Sequence, residues 1–149
     1  MVALRHLVVL ALATVTLAFP TPTIDSSHLS KRTISGATAG KCGKNSFSPT
    51  QVEAAASAAA SRVAQGEQGQ VGKNKYPHKF NNREGFQFAR DCKAPFYEFP
   101  IFQNKVYTGE SPGPDRVVIG SVRGADAAYC GLITHTGAGG NKFLQCDPA

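Results

Sequence analysis

Four ionisable side chains stand where the sequence offers no simple structural reason for them. Glu98 interrupts one apolar segment and Arg116 begins another, while His78 and His135 lie beside turn or glycine-rich segments. One carboxylate, two imidazoles and a guanidinium are the groups that metal-independent cleavage of RNA requires: a base, an acid and a cation at the phosphate. Each also has a plainer interpretation, because a lone histidine is usually structural or exposed, Glu98 could face solvent, and Arg116 could pair with Asp115.

The segment Tyr76–Gly85 places one of these imidazoles next to a loop rich in donors and acceptors. Tyr76, His78 and Phe80 alternate along the chain, so on an extended strand their side chains share one face. Residues 81–85 are two asparagines, an arginine, a carboxylate and a glycine, which is turn chemistry. We therefore expect a strand that carries a titrating group to run into a loop that binds a polar planar ligand.

The elements that must position these groups are one helix and a set of short strands. Ser48 and Gln51 form a capping-box pattern around Pro49, and the alanine-rich segment that follows keeps helical spacing until Gly66. A run of short strands after one helix predicts an α+β fold, with the helix packed on an antiparallel sheet. The predicted helix covers Val52–Gln65 with Val52, Ala56, Ala59 and Val63 on one stripe, and the predicted strands are Phe86–Phe88, Pro95–Phe102, Val106–Tyr107, Arg116–Ile119, Ala127–Thr134 and Phe143–Cys146.

The first 32 residues are expected to be absent from the mature protein. Residues 1–18 have a basic start, an apolar run and a small-residue cleavage site, the pattern of a secretory signal peptide. Residues 19–32 are polar and end in Lys31-Arg32, which indicates a pro-segment cut by a processing protease. Residues 33–149 then form a single domain. They contain no run of the roughly 18 apolar residues that a membrane span needs, so we expect a secreted protein without a membrane anchor.

Charge and cysteine content limit the partners of the exported part. The chain has 149 residues and a formal charge of +6, and the 117 residues after Arg32 carry 13 Lys and Arg against 9 Asp and Glu. That excess of cations suits a polyanionic partner without requiring one. The four cysteines predict two disulfides with three possible connectivities. Their spacing lacks the Cys-x-x-Cys pairs of zinc sites, and we expect neither a metal nor another cofactor.

Four ordered motifs give the sequence a family resemblance. They are Tyr-Pro-His-Lys-Phe-Asn-Asn-x-Glu-Gly-Phe from Tyr76, Tyr-Glu-Phe-Pro-Ile from Tyr97, Val-Tyr-x-Gly-x-Ser-Pro-Gly-x-Asp-Arg-Val from Val106, and Ile-Thr-His-Thr-Gly-Ala-x-Gly-Asn-x-Phe from Ile133. In this order the motifs resemble the fungal guanyl-specific ribonucleases over nearly all of the mature chain. The resemblance implies the α+β fold of microbial ribonucleases. It also implies a secreted, monomeric endoribonuclease that cleaves single-stranded RNA, and not DNA, on the 3′ side of guanosine.

The resemblance implies a role for each matching residue. Six residues match catalytic and phosphate-binding positions: Glu98 as general base, His78 as its supporting imidazole, His135 as general acid, Arg116 as the phosphate-binding arginine, and Tyr76 and Phe143 as the aromatic residues around the phosphate. Six more match base-recognition positions: Phe80, Asn81, Asn82, Arg83, Glu84 and Asn141. The loop amides would donate to the guanine carbonyl oxygen, and Glu84 would accept from the N–H groups of the base.

Four residues depart from the family pattern. Phe80 lacks the usual phenol and Arg83 replaces the usual tyrosine. Glu110 and Pro114 interrupt a loop of small residues, and Glu110 adds a negative charge there. An arginine can still stack on a base through its planar guanidinium. We therefore expect guanine binding to persist in this chain.

The resemblance also selects one disulfide connectivity. It pairs Cys42 with Cys146, which closes a loop of about 100 residues, and it pairs Cys92 with Cys130, which would link two neighbouring strands. It places cis peptide bonds before Pro77 and Pro95 as well.

Two alternative functions fit the same fold. One is a ribotoxin, which uses long basic loops to reach ribosomal RNA, and the short connector Glu67–Lys75 argues against it. The other is a secreted RNA-binding effector without activity, which would have no reason to keep Glu98, His78, Arg116 and His135 together.

Overall fold

The computed structural model describes residues 33–149, so the predicted signal peptide and pro-segment lie outside the described residues. One helix packs on a sheet of short strands, and the predicted α+β fold is confirmed. The elements in chain order are β1 Ile34–Ser35, β2 Gly40–Cys42, β3 Asn45–Phe47, α1 Pro49–Ala64, a 3₁₀ helix Gly66–Gly69, β4 His78–Phe80, β5 Phe96–Pro100, β6 Asp115–Arg123, β7 Asp126–Thr134, β8 Leu144–Gln145 and β9 Asp147–Pro148.

The main sheet has the strand order β1-β7-β6-β5-β4, with β8 also paired to β7. Its pairs are antiparallel except for β1, which runs parallel to β7. A smaller sheet has the order β3-β2-β9. The register of the main sheet sets His78 opposite Glu98, Glu98 opposite Val118, and Arg116 opposite Ile133. Directly opposed residues lie on one face of a sheet, so this register determines which side chains can meet.

The predicted capping signals mark the ends of helix α1, although the helix spans Pro49–Ala64 and not the predicted Val52–Gln65. The Ser48 hydroxyl accepts from the Gln51 amide at 3.3 Å, and the Gln51 side chain accepts from the Ser48 amide at 2.7 Å, which completes the capping box. Gly66 follows the helix with a φ of 63°, a conformation that ends helices and suits glycine. The buried face is formed by Val52, Ala55, Ala56, Ala59 and Ala60, whereas Val63 of the predicted stripe is half-buried.

The two faces of the main sheet have different functions. One face, with Phe99, Val117 and Ile119, packs against the alanine face of α1. Since side chains alternate along a strand, Glu98 and Val118 point to the other face. That second face carries a smaller apolar cluster made of Phe80, Cys92, Val118, Ala128, Cys130, Ile133 and Phe143. One face of the sheet therefore lies in the structural core. The other face carries the smaller apolar cluster, which polar side chains border.

Two disulfides cross-link the domain. Cys42 is bonded to Cys146, and Cys92 is bonded to Cys130, which is the connectivity that the resemblance implied. Cys92 lies in a loop rather than on a strand, so the second bond connects that loop to β7. The peptide bonds before Pro77 and Pro95 are both cis, as expected.

Two predicted strands are wrong. Residues 86–88 form an irregular loop, because Phe86 and Phe88 use their rings to cover Phe80 and Phe96 and the backbone of Phe86 is bonded to a side chain. Around residues 106–107 only a single bridge forms, between Val106 and Ile101. Aromatic residues produced a strand-like pattern at both places, but they contribute packing instead of ladder hydrogen bonds. No helix within residues 33–149 is long and apolar enough to cross a membrane.

Candidate active site

His78 and Glu98 form the centre of the site. They are opposed on β4 and β5, and His78 Nε2 is hydrogen-bonded to Glu98 Oε1. The second ring nitrogen, Nδ1, lies 3.2 Å from the carbonyl oxygen of Asn74, which fixes the ring orientation. The hydrogen bond to Glu98 raises the pKa of His78, and this effect outweighs the opposing effect of burial. The contact with Glu98 therefore favours the charged form of the His78 imidazole.

Glu98 has a carboxylate oxygen that remains available. The residue is only 7% exposed, and its Oε2 is buried without a hydrogen-bond partner among residues 33–149. A buried acceptor without a partner is costly unless a ligand satisfies it. Oε2 is therefore placed to accept a proton or a hydrogen bond from a bound molecule.

Arg116 is a buried cation whose position is fixed by main-chain oxygens. It is 2% exposed, and one terminal nitrogen donates to the carbonyl oxygens of Pro112, Gly113 and Asp115 at 2.8–3.2 Å. The other terminal nitrogen donates to the Tyr76 hydroxyl at 2.9 Å. The Nε of Arg116 is buried without a partner among the described residues. An unpaired N–H on a buried guanidinium is suited to an anionic ligand.

The Asp115 carboxylate does not neutralise Arg116. Its two oxygens accept from the Asn45 amide at 2.7 Å and from the Thr134 hydroxyl at 2.6 Å. The plainer interpretation, in which Arg116 is an ion-pair partner of Asp115, is therefore wrong. Asp115 instead ties β6 to β3 and β7 through uncharged donors.

Tyr76 connects the guanidinium to the histidine. Its ring centroid lies 4.5 Å from that of His78, and its ring is packed edge-on against Tyr107 at 5.7 Å. Its hydroxyl holds Arg116, whose guanidinium carbon lies 5.1 Å from the Tyr76 ring centroid. Arg116, Tyr76, His78 and Glu98 thus form one continuous chain of contacts.

His135 lies just beyond the end of β7, on the same face. Ile133, two residues earlier, is opposite Arg116, and the His135 amide donates to the Pro114 carbonyl at 3.0 Å. The ring stacks on Phe143 with centroids 3.9 Å apart and planes at 28°. Its Nδ1 lies 2.8 Å from the Lys142 carbonyl oxygen, so Nε2 is left to face a ligand.

The loop at residues 81–85 is held by one of its own side chains. Asn82 has a φ of 46°, and its amide group accepts from the Phe86 N–H at 2.8 Å and donates to the Phe86 carbonyl at 2.9 Å. The Gly85 amide also donates to the Asn82 carbonyl at 3.1 Å. The side chains of Arg83 and Glu84 are exposed at its tip. The Asn82 side chain therefore fixes the conformation of the loop. A sequence pattern alone does not distinguish this role from direct contact with a ligand.

All six predicted base-recognition residues line one small cavity of about 150 Å³. The Glu84 side chain reaches the opposite wall of the cavity, where its Oε1 accepts from the Phe143 amide at 3.1 Å. Phe80 is 7% exposed and packs edge-on against Phe143 at 5.8 Å, so it forms the inner wall. The lining residues are Phe80, Asn81, Asn82, Arg83, Glu84, Asn141 and Phe143.

The Glu110 carboxylate is bonded to residues of its own loop. Its carboxylate accepts from the amide and hydroxyl of Thr108 and lies 2.7 Å from the Lys105 ammonium. Lys105, followed by the main-chain donors, lowers the pKa of Glu110 to about 2. The extra negative charge is thereby balanced locally.

Some contacts in the site come from main-chain oxygens that the sequence did not indicate. The carbonyl groups of Asn74, Lys142 and Gly113 orient His78, His135 and Arg116. Every residue carries a carbonyl group, so the sequence holds no signal for them. Within residues 33–149 no cluster of three or more His, Cys, Asp or Glu side chains could hold a metal ion.

The α+β fold brings a carboxylate, two imidazoles and a buried guanidinium to one face of the sheet, an arrangement suited to acid–base cleavage of a phosphodiester. A family model described as ribonuclease matches residues 35–147. The chain therefore belongs to the ribonuclease family, whose substrate is RNA.

Two guanyl-specific relatives support the same assignment. The chain is 48% identical over 105 residues to guanyl-specific ribonuclease F1 of Fusarium fujikuroi, covering 70% of this chain and 74% of that protein. It is 48% identical over 106 residues to guanyl-specific ribonuclease Th1 of Trichoderma harzianum, covering 70% and 93%. Among solved structures, ribonuclease He1 of Hericium erinaceus aligns with a TM-score of 0.44 and 30% identity, covering 73% of this chain and 98% of that one.

Proposed function

We propose that this protein is a secreted endoribonuclease that cleaves single-stranded RNA on the 3′ side of guanosine. The observation that carries the proposal is the buried, unpartnered oxygen of Glu98 on the same sheet face as the unpartnered Nε of Arg116. These are an acceptor for a hydroxyl proton and a donor for a phosphate. The guanyl-specific relatives support the base preference, and they favour neither the ribotoxin nor the inactive effector.

The first step is attack by the ribose 2′-hydroxyl on the adjacent phosphorus. Glu98 Oε2 takes the hydroxyl proton as the 2′-oxygen bonds to phosphorus. His78, held by Asn74 and bonded to the other carboxylate oxygen, keeps the base oriented. General-base catalysis of this kind contributes about 10²–10⁴-fold.

The departing 5′-oxygen takes a proton from His135. The ring is clamped by Phe143 and by the Lys142 carbonyl, which directs the free nitrogen at the leaving group. The products are a 2′,3′-cyclic phosphate and a free 5′-hydroxyl. In the second step the roles reverse, because His135 removes a proton from water and Glu98 returns one to the 2′-oxygen, leaving a 3′-phosphate. DNA lacks the nucleophile and is expected to be inert.

The phosphoryl oxygens are stabilised by Arg116 and Tyr76. Both groups are fixed before substrate arrives, Arg116 by three carbonyl oxygens and Tyr76 by Arg116. Fixed donors in a site with little water stabilise the added negative charge at small reorganisation cost. No metal ion is needed for this step.

Guanine is held in the cavity at residues 80–84. The Glu84 carboxylate keeps acceptor capacity beyond its bond to the Phe143 amide, so it can accept from the N–H groups of guanine. Adenine offers the opposite pattern there and would leave these groups unpaired. Arg83 at the open side of the cavity supplies a planar cation that stacks on the base.

Secretion is proposed from the sequence and the cysteines. Residues 1–18 serve as a signal peptide, residues 19–32 as a pro-segment, and residues 33–149 as one monomeric catalytic domain. Two disulfides suit an oxidising compartment outside the cell.

Digestion of a defined RNA by the mature protein in EDTA tests this function. The expected result is cutting after guanosine, with cyclic phosphate ends that convert slowly to 3′-phosphates. Cuts after every base, or a requirement for added metal, would reject it.

A further inference from the structure

Asp115 and Thr134 form a buried pair where two neighbouring strands begin and end. Asp115 is the first residue of β6 and Thr134 the last of β7, and the two are direct partners in the strand register. They are 2% and 4% exposed. The Thr134 hydroxyl donates to Asp115 Oδ1 at 2.6 Å. A buried hydrogen bond of this kind is costly to break, because its partners would be left unsatisfied.

Each member of this pair directly precedes a residue of the candidate active site. Asp115 is followed by Arg116, and Thr134 is followed by His135. The bond between the two side chains therefore joins β6 to β7 one residue away from the phosphate-binding guanidinium and from the general acid of the proposed function.

The Thr134 hydroxyl also bonds to the main chain on the far side of His135. The Thr136 amide donates to this hydroxyl at 3.0 Å. One hydroxyl group thus donates to β6 and accepts from the residue that follows His135. The His135 amide itself donates to the Pro114 carbonyl at 3.0 Å, so the main chain is held before, at and after the imidazole.

These contacts fix a different part of His135 from those that orient its ring. The Phe143 ring and the Lys142 carbonyl orient the imidazole. The bonds of Thr134 and Pro114 hold the main chain from which the imidazole projects. A displacement of roughly 1 Å in a site can lower the rate about 10²-fold. The position of this main chain therefore matters for proton transfer to the leaving oxygen.

We propose that the Thr134 hydroxyl positions the general acid, and that its two bonds hold His135 at the distance from Arg116 that proton donation to the leaving oxygen requires. The inference rests on the proposed function and adds a positioning residue to it. Thr134 acts through His135 and not on the substrate.

Thr134→Val tests the proposal, because it removes the hydroxyl and keeps the β-branched shape of the side chain. The two substrates are GpC, whose departing oxygen needs a proton, and guanosine 3′-(4-nitrophenyl phosphate), whose leaving group is stable as an anion. We expect kcat to fall at least about tenfold on GpC and less than about threefold on the nitrophenyl ester. The ratio of the two rates cancels any loss that both substrates share, such as a fraction of unfolded protein.

Two controls separate positioning from stability. Thr134→Ser keeps a hydroxyl for both bonds, so its kcat on GpC is expected to stay near the wild-type value. Asn45→Ala removes the other donor to Asp115, whose Nδ2 lies 2.7 Å from Asp115 Oδ2. We expect Asn45→Ala to lower the thermal unfolding midpoint while the ratio of the two rates stays at the wild-type value. Thr134→Ala replaces Thr134→Val if the valine variant is not folded at the assay temperature.

Three results would overturn the proposal. They are an unchanged ratio of rates in Thr134→Val, a loss on GpC in Thr134→Ser as large as in Thr134→Val, and a change of the ratio in Asn45→Ala equal to that in Thr134→Val. If wild-type protein cleaves GpC and any of these results is found, the role of Thr134 alone is rejected. If wild-type protein cleaves neither substrate, the proposed function fails and the role of Thr134 fails with it.

Discussion

Replacing His135 by glutamine is expected to remove the general acid while leaving the protein folded. The His135 ring is partly exposed, and its fixed contacts are the Phe143 ring and the Lys142 carbonyl oxygen. A glutamine amide can donate to the same carbonyl oxygen, so the local structure has a replacement for the lost hydrogen bond. We therefore expect the thermal unfolding midpoint of His135→Gln to stay within a few degrees of wild type.

The loss of activity should depend on the leaving group. With GpC, whose departing oxygen needs a proton, kcat should fall by about 10²–10⁴-fold, or roughly 3–5 kcal/mol in activation free energy. With guanosine 3′-(4-nitrophenyl phosphate), whose leaving group is stable as an anion, the fall should be less than about tenfold. The difference isolates proton donation from binding and positioning.

Glu98→Gln is the control for this experiment. It removes the base that serves both substrates, so its loss should be similar with GpC and with the nitrophenyl ester. Steady-state kinetics of the two variants on the two substrates give the full comparison. An equal loss on both substrates for His135→Gln, or retention of more than about a tenth of the wild-type rate on GpC, would refute the assignment of His135 as the acid.

Three further predictions concern stability and base preference. The Glu98 hydrogen bond raises the pKa of His78 above 6.5. The stabilisation of the folded protein by this bond is therefore complete below pH 6.5 and is lost as pH rises through the raised pKa. In urea melts, the free energy of unfolding of wild-type protein should exceed that of His78→Gln by more at about pH 5 than at about pH 9. An equal advantage at both would contradict this. Replacing Cys42 and Cys146 by alanine opens a loop of 104 residues and should lower the free energy of unfolding by about 2–5 kcal/mol; no change in the urea midpoint would argue against it. Glu84→Gln should reduce the preference for GpC over ApC by at least about tenfold, and an unchanged ratio of kcat/KM values would show that Glu84 does not read the base.

The helix was predictable because its signals are local. Ser48, Pro49 and Gln51 mark its start and Gly66 its end, and each acts within one turn of the chain. The Phe86–Phe88 segment misled the prediction because aromatic residues are favoured both in strands and in apolar clusters. In this chain the segment is not a strand because the Asn82 side chain hydrogen-bonds both the amide and the carbonyl group of Phe86. A neighbouring strand would need those two groups for pairing.

The side chains of the site were predictable as a set, but their arrangement was not. The family motifs identified Glu98, His78 and Arg116, whereas the strand register that brings them together involves pairings far apart in the chain. Asp115 is the clearest example of a contact that the sequence did not predict. Its position next to Arg116 suggested an ion pair, yet adjacent residues on a strand point to opposite faces, and the carboxylate meets Asn45 instead.

The central claim is tested most directly with one oligoribonucleotide that contains a single guanosine, and with the same strand carrying 2′-deoxyguanosine at that position. Both are incubated with the mature protein in EDTA, and the product ends are identified by mass spectrometry. We expect a single cut after the guanosine, ending first in a 2′,3′-cyclic phosphate, and no cut in the deoxy strand. Cleavage of the deoxy strand at the same position, or a 5′-phosphate on the downstream fragment, would contradict attack by the 2′-hydroxyl.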